Sequence, residues 1–517
     1  MRFKWSVQKN GVAAAVFAAA FVCAGRQGEY GRPGKYGRTG ESGRTGEYHY
    51  ADPSSYVLPL YGINADSLES VKKNPSSFLA FAKDGAAMWH FRAPAAGLYS
   101  LRLLYACDDP GITIRVATHE DAYDFGLQGT NGYYRVTDRT IPRGTLWPHG
   151  IGAEPMQNYN RLDLDKNIPL RLGENDVTLR VNVPAGHAPF YFRSLEFLPL
   201  KDVEEAHKEW QQARARRSDP GWLVNAGYGL MFHWDNDARQ PVGPSLSYAD
   251  AVRAFNVQAF ADMFQRTGAH YVIFTANHGG TNFPAPLKEW EAVYPGGTTK
   301  RDLIADMADA LNTRGIKLMI YLHVQILADS GIDPHFKDHY STMSGQAFSR
   351  SAINMITAIG NRYGRRIAGY WLDSFLDIDT QYPDFPYERF DEASKAGNPD
   401  RLVATTNWTY PIDTEWQDYW GGELFMPGNP PSTLPLSDGP ARGLPFQALI
   451  TLFGDWVHTK DGPMEPPVYS VEELGRFIND TKGKGAVTIN TGIFQDGSIG
   501  DVQTNYLAAL RKYVYEK

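Results

Sequence analysis

Cysteine is nearly missing from this chain of 517 residues, which carries only Cys23 and Cys107. Exported proteins often staple themselves with several disulfides, so stability here has to come from packed cores instead. Long apolar runs are scarce too. The most apolar stretch near the start, residues 11–22, is shorter than the roughly 20 residues needed to span a bilayer, and no stable membrane insertion is expected. Charge of one sign is also lacking: 51 Lys and Arg stand against 58 Asp and Glu, a net of −7. Without a basic stripe, nucleic acid is not an expected partner. No Gly-rich phosphate loop and no Ser/His/Asp spacing stands out, so no cofactor is expected. His335, Asp338 and His339 follow Pro334 and read as a surface loop, so no metal site is assigned.

Aromatic residues, in contrast, are abundant, with 12 Trp, 29 Tyr and 26 Phe. They suit large cores and sugar-stacking surfaces equally. At the start, Arg2, Lys4 and Lys9 precede the apolar run, and Val22-Cys23-Ala24 supplies a small-residue cleavage pattern. Residues 1–24 therefore read as an export signal, placing the protein outside the cell or in the periplasm, with an uncleaved anchor as the alternative. Cleavage would leave Cys107 alone and exclude an intrachain disulfide. Residues 25–54 form a low-complexity linker in which Gly recurs at every third position from Gly25 to Gly46. Pro33 is the only proline among those triplets, which favours a flexible tether over a trimeric collagen-like stalk. The oligomeric state is not legible.

The length suggests two or three domains. Residues 55–200 read as an all-β, jelly-roll-like sandwich, carbohydrate-binding in type, because alternating runs such as Ala87–Arg92 and Val177–Val183 are separated by turn residues. Trp89, Trp147 and Tyr105 are candidates for sugar stacking, although Trp89, inside an alternating strand, reads better as core. Residues 201–221 form a charged helical linker. From 222 to 517 the rhythm becomes strand, helix, strand, helix. Strands are expected at Tyr228–Trp234, His270–Asn277, Ile316–Val324, Ile367–Phe375, Leu402–Trp408, Tyr419–Phe425, Asp455–Thr459 and Ala486–Ile493. That count fits a TIM-like (β/α)8 barrel.

In such a barrel the chemistry sits at the carboxyl ends of the strands. Ile367-Ala-Gly-Tyr-Trp-Leu-Asp373 runs apolar and then ends in a carboxylate, which on position alone is either a catalytic acid or a helix N-cap. Polar groups close nearly every other strand: His233, Asn277 with His278, Tyr321 and His323, Asn407, Glu423, His458 and Asn490. Two carboxylates flanked by Trp and His suit sugar hydrolysis, in which one acid attacks and the other donates a proton.

The barrel region resembles the retaining α-L-fucosidases. The resemblance is carried by Gly229-Leu-Met-Phe-His-Trp234, by Gly268-Ala-His-Tyr-Val-Ile-Phe-Thr-Ala-Asn-His-Gly-Gly280, and by Gly315-Ile-Lys-Leu-Met-Ile-Tyr321. Trp371-Leu-Asp373 and Lys482-Gly-Lys-Gly-Ala-Val-Thr-Ile-Asn490 complete it. It implies a retaining exo-glycosidase acting on a glycan, an oligosaccharide or polysaccharide, with Asp373 as nucleophile. Asp418-Tyr-Trp-Gly-Gly-Glu423 resembles the segment carrying the acid/base, which points to Glu423 with Glu415 in reserve. His233, Asn277 and His278 would orient ring hydroxyls. Tyr321 would sit near the nucleophile, Trp234, Trp371 or Trp456 would give an apolar wall, and Trp408 is a further candidate for contact with the substrate. Asn277, Gly279, Ser374 and Trp408 depart from the usual pattern. They keep two alternatives open: an enzyme for another L-configured or sulfated sugar, and a non-catalytic carbohydrate-binding protein on a degenerate barrel.

Overall fold

The computed structural model describes residues 57–516 apart from 75–77, 108, 130–132, 135–155, 158–159, 235–237, 279, 324–344, 374, 376–377, 379–381, 383–384, 407–413, 424–426, 428–440 and 454–455. The expected export signal, the Gly-x-y tract, Trp147, His335 and Trp408 lie outside the described residues.

Two antiparallel sheets face each other in the N-terminal part. One is ordered Asn160–Leu170, Gly97–Ala106, Phe190–Pro199, Phe78–Phe81, Lys72–Asn74, with Leu58–Tyr61 also paired to Phe190–Pro199. The other is ordered Ser67–Glu69, Gly85–Ala93, Gly173–Asn182, Thr113–Ala117, Ala122–Gly126. Alternation decides what lies between them: in Gly85–Ala93, Ala87, Trp89, Phe91 and Ala93 are buried while His90 and Arg92 face water. Trp89 packs on Phe192, and its indole N–H donates to the Tyr61 carbonyl at 2.8 Å. Tyr105 is buried as well, its hydroxyl donating to the Gln128 carbonyl at 3.0 Å. Neither ring is therefore a sugar-stacking platform. A helix, Val203–Arg216, follows the last sandwich strand. Its Trp210 packs on Leu198 and lies under the Arg102 guanidinium, and at its far end Arg216 pairs with Glu388 and Glu392.

Among the described residues the rest of the chain builds an eight-stranded parallel sheet. Its strands are β1 (Tyr228–Phe232), β2 (Tyr271–Asn277), β3 (Lys317–His323), β4 (Gly369–Asp373), β5 (Leu402–Thr405), β6 (Trp420–Gly422), β7 (Phe446–Thr451) and β8 (Gly485–Asn490), ordered β5-β4-β3-β2-β1-β8-β7-β6. This is the expected (β/α)8 arrangement. Helices such as Val257–Thr267 and Leu303–Asn312 cover the outside, and Gly268, at φ +75°, ends the first of these in the left-handed turn that Gly adopts without strain. No helix among the described residues is long and apolar enough to cross a membrane.

One strand differs from expectation. The seventh is Phe446–Thr451, not Asp455–Thr459. A parallel barrel strand is buried on both faces and reads as a continuous run, and all six residues from Phe446 to Thr451 are buried. Residues 456–459 form a loop instead, in which His458 is tied down, Nδ1 lying 3.0 Å from Glu465 Oε2 and Nε2 3.2 Å from the Gly462 carbonyl.

The sheet path begins at β5 and ends at β6, and a side chain helps to join them. The Asp418 amide donates to the Val403 carbonyl, and the Asp418 carboxylate accepts from the Val403 amide, both at 2.8 Å. The same carboxylate takes the Ser218 amide at 2.7 Å and Lys395 Nζ at 3.0 Å. Lys395 also lies 3.2 Å from Asp391 Oδ1. One ammonium between two buried carboxylates leaves them under-compensated, and burial pushes the Asp391 carboxyl up to about 7 against the pull of Lys395. A carboxyl raised from its ordinary 3.8 favours folding while protonated, and that contribution fades as pH rises through about 7. Asp391→Asn should therefore gain stability over the native chain in urea unfolding as pH rises from about 4 to about 8. An offset that stays constant over that range would contradict this.

Candidate active site

Side chains alternate along each barrel strand, so one set points into the barrel and the other into the helix layer. On β3, Met319 and Tyr321 belong to the inner cluster, while Leu318, Ile320 and Leu322 belong to the outer one. On β4, Trp371 is inner whereas Tyr370 and Leu372 are outer. The same parity carries His323, Asp373, His233 beyond β1, Glu423 beyond β6 and Asn490 on β8 to the inside of the barrel's carboxyl end.

Asp373 is half-buried there. The Tyr321 hydroxyl donates to its Oδ2, and the Thr406 hydroxyl lies 3.4 Å from its Oδ1. Tyr321 is stacked on Trp371 at 5.2 Å and 20°, which fixes the direction of its hydroxyl. Trp371 is thus a support beneath the site, only 1% exposed, rather than an open wall. Gly421 makes room for this packing, since a Cβ there would lie 2.8 Å from Thr406 Cγ2 and 3.2 Å from Trp371 Nε1.

Glu423 is buried. Burial, and then the negative charge of Asp373, push its carboxyl well above the ordinary carboxylate range. Glu415, the reserve acid/base, lies at the other end of the barrel. Its backbone carbonyl accepts from Arg217 at 3.1 Å, near the Ser218 and Asp418 contacts that mark the start of β5.

Around Asp373 the aromatic groups converge. The His233 ring lies 5.1 Å from Tyr321, 5.4 Å from His278 and 4.9 Å from Trp456. Asn490 donates from Nδ2 to the Trp456 carbonyl at 3.1 Å, so its Oδ1 is the acceptor for His233 Nδ1–H at 3.0 Å. That bond makes Nε2 of the neutral His233 ring an acceptor. Asn277 is used differently from expectation. Its Nδ2 donates to the Gly280 carbonyl at 2.6 Å and the Asn282 carbonyl at 2.9 Å, shaping the loop that presents His278. Its Oδ1 meets no donor among the described residues.

Trp234 is not part of the site. One residue past His233, it faces the helix layer, packed against Tyr248, Phe255 and Phe274, with its indole N–H donating to the Gln495 carbonyl at 3.2 Å. The period of two that directs His233 inward directs Trp234 outward. Asn490 and His323 were visible as polar strand residues without a role, and Thr406 carried no signal beyond its inward parity. Among the described residues no group of three or more His, Cys, Asp or Glu could hold a metal ion.

The alpha-L-fucosidase family model matches residues 203–516, more than half of the chain. The chain belongs to the alpha-L-fucosidase family. Human tissue alpha-L-fucosidase is 29% identical over 135 residues, covering 20% of this chain and 28% of that protein. Human plasma alpha-L-fucosidase is 24% identical over 149 residues, covering 22% and 31%. The matched segments thus span less than a third of each of these relatives. Among solved structures, a Thermotoga maritima alpha-L-fucosynthase complex aligns at 18% identity over 59% of this chain and 75% of that one, with a TM-score of 0.43. The alpha-L-fucosidase of Lactobacillus casei with fucose product aligns at 16% identity over 58% and 99%, with a TM-score of 0.42.

Within this fucosidase-family barrel Trp234 is a core residue. Trp234→Ala should cost about 3–5 kcal/mol in chemical unfolding. A variant as stable as the native chain but weaker in sugar binding would put the ring back in the site.

Proposed function

We propose that the protein is a secreted, retaining, exo-acting glycosidase that hydrolyses α-L-fucosides or closely related α-L-glycosides in oligosaccharides or polysaccharides. One observation carries this reading: Glu423 is buried beyond the sixth strand on the same side as Asp373, and that burial, and then the charge of Asp373, push its carboxyl well up, an unequal pair of the kind sugar hydrolysis uses.

Asp373, ionised, attacks the anomeric carbon with Oδ1 or Oδ2 as the bond to the leaving oxygen breaks. Glu423 gives its proton to that oxygen, so the aglycone departs as a neutral alcohol. As the ester to Asp373 forms, the Tyr321 hydroxyl stays on the carboxylate and moderates its charge. Water then attacks the same carbon, Glu423 now taking its proton, and Asp373 is released. Two inversions give net retention, which requires the carboxyl groups to stand ~5–5.5 Å apart. His233 Nε2 accepts a ring hydroxyl, His278 contacts a second, and Trp456 supplies an apolar face. Asn277, whose amide protons hold the loop, offers the sugar only its Oδ1, which favours a readout of ring hydroxyls altered from the usual family pattern.

Glu423→Ala should lower kcat/KM by about 10²–10⁴-fold on a glycoside with a poor leaving group, and far less on a dinitrophenyl glycoside that needs no proton. A carboxyl raised in this way loses its catalytic proton as pH rises, so the variant should also lose the basic limb of the kcat/KM profile. Native-like rates with that limb intact would assign the acid elsewhere. For the sugar, aryl α-L-fucoside should be hydrolysed faster than aryl α-L-galactoside. The reverse order would move the specificity to the hydroxylated sugar.

A further inference from the structure

His323 has no part in the chemistry above, yet it stands beside it. It is the last residue of β3, and in the parallel pairing of β3 with β4 its Cα partner is Asp373. Adjacent strands lie about 4.8 Å apart, so the imidazole sits one strand spacing from the nucleophile, at the same height. Parity sends it inward with Met319 and Tyr321. The ring is 1% exposed and its centroid lies 6.3 Å from that of His278. With His233 beyond β1 and His278 after β2, it completes an arc of imidazoles that runs across three neighbouring strands and ends next to Asp373. Three imidazoles at the carboxyl ends of three neighbouring strands, alongside a carboxylate, form a polar wall rather than an apolar core.

Resting on the glycosidase reading, we propose that His323 is a specificity-determining residue whose imidazole hydrogen-bonds one ring hydroxyl of the sugar attacked by Asp373. It joins the third strand to the hydroxyl-reading surface that His233 and His278 provide from the first two. A residue that reads one hydroxyl has a signature that a merely structural residue lacks: its loss matters for every sugar except the one missing that hydroxyl.

The test pairs His323→Ala and His323→Gln with aryl α-L-fucoside and its 2-, 3- and 4-deoxy analogues. On the parent substrate kcat/KM should fall about 10- to 100-fold in His323→Ala. On one deoxy analogue the native enzyme and the variant should differ by no more than about 3-fold, while the other two analogues keep the full loss. His323→Gln, which retains a donor and an acceptor, should recover part of the rate on the parent and guards against a folding defect in the alanine variant. Equal losses on all four substrates, or no loss on any, would overturn the role of His323 while leaving the glycosidase reading intact. If the native enzyme hydrolyses none of the four, that reading falls instead. The same pattern is then sought in the Kd of L-fucose and the deoxyfucoses, measured by calorimetry, where equal Kd ratios across the sugars would still overturn the assignment.

Discussion

Two carboxyl groups that share one barrel mouth, one of them buried, cannot both ionise at low cost. That constraint organises the site. Glu423 lies in the drier position, where burial and then the charge of Asp373 push its carboxyl up, while Asp373 is half-buried and hydrogen-bonded by the Tyr321 hydroxyl. The proposed acid and the proposed nucleophile are thereby distinguished by surroundings alone, since Asp and Glu differ little in intrinsic acidity.

The surroundings in turn depend on the strict alternation of parallel strands. Tyr321 can reach Asp373 because both point inward from neighbouring strands, and Trp371, inward on the same strand as Asp373, stacks beneath it. Gly421 on the sixth strand leaves the space that this stack occupies. At the opposite end the barrel depends on a polar joint. Asp418 holds Val403 by backbone and side chain and engages Ser218 just after the linker helix, so the place where β5 meets β6 is also where the helix from the sandwich arrives. Structural carboxylates stay at that end, and the pair proposed as reactive stays at the other.

Much of this was legible in the sequence where a run was long and periodic. The helix at Val257–Thr267, capped by Gly268, was legible to the residue, and the apolar run before Asp373 placed that carboxylate at a strand end. Legibility failed where two readings shared one pattern. Trp456 and Val457, set between polar residues, resemble a short strand, but the real seventh strand is Phe446–Thr451, a uniformly buried run. Trp234 adjoins His233 in sequence and so resembles part of the same wall, whereas adjacent strand residues face opposite layers. Asn277 could be placed at the site from sequence, but not its bonds to Gly280 and Asn282, because those follow from a loop geometry that spacing does not encode. The unequal environments of Glu423 and Glu415 were also hidden, since only the fold sends them to opposite ends of the barrel.

The central claim is that Asp373 forms a covalent bond to the sugar. Incubation with a 2-deoxy-2-fluoro-L-fucosyl fluoride, which forms the glycosyl-enzyme quickly and releases it slowly, followed by proteolysis and mass spectrometry, tests it directly. The account predicts one added fluorofucosyl group, on the peptide that contains Asp373. An adduct on a different carboxylate, or steady hydrolysis of a fucoside with inversion and no adduct, would contradict it.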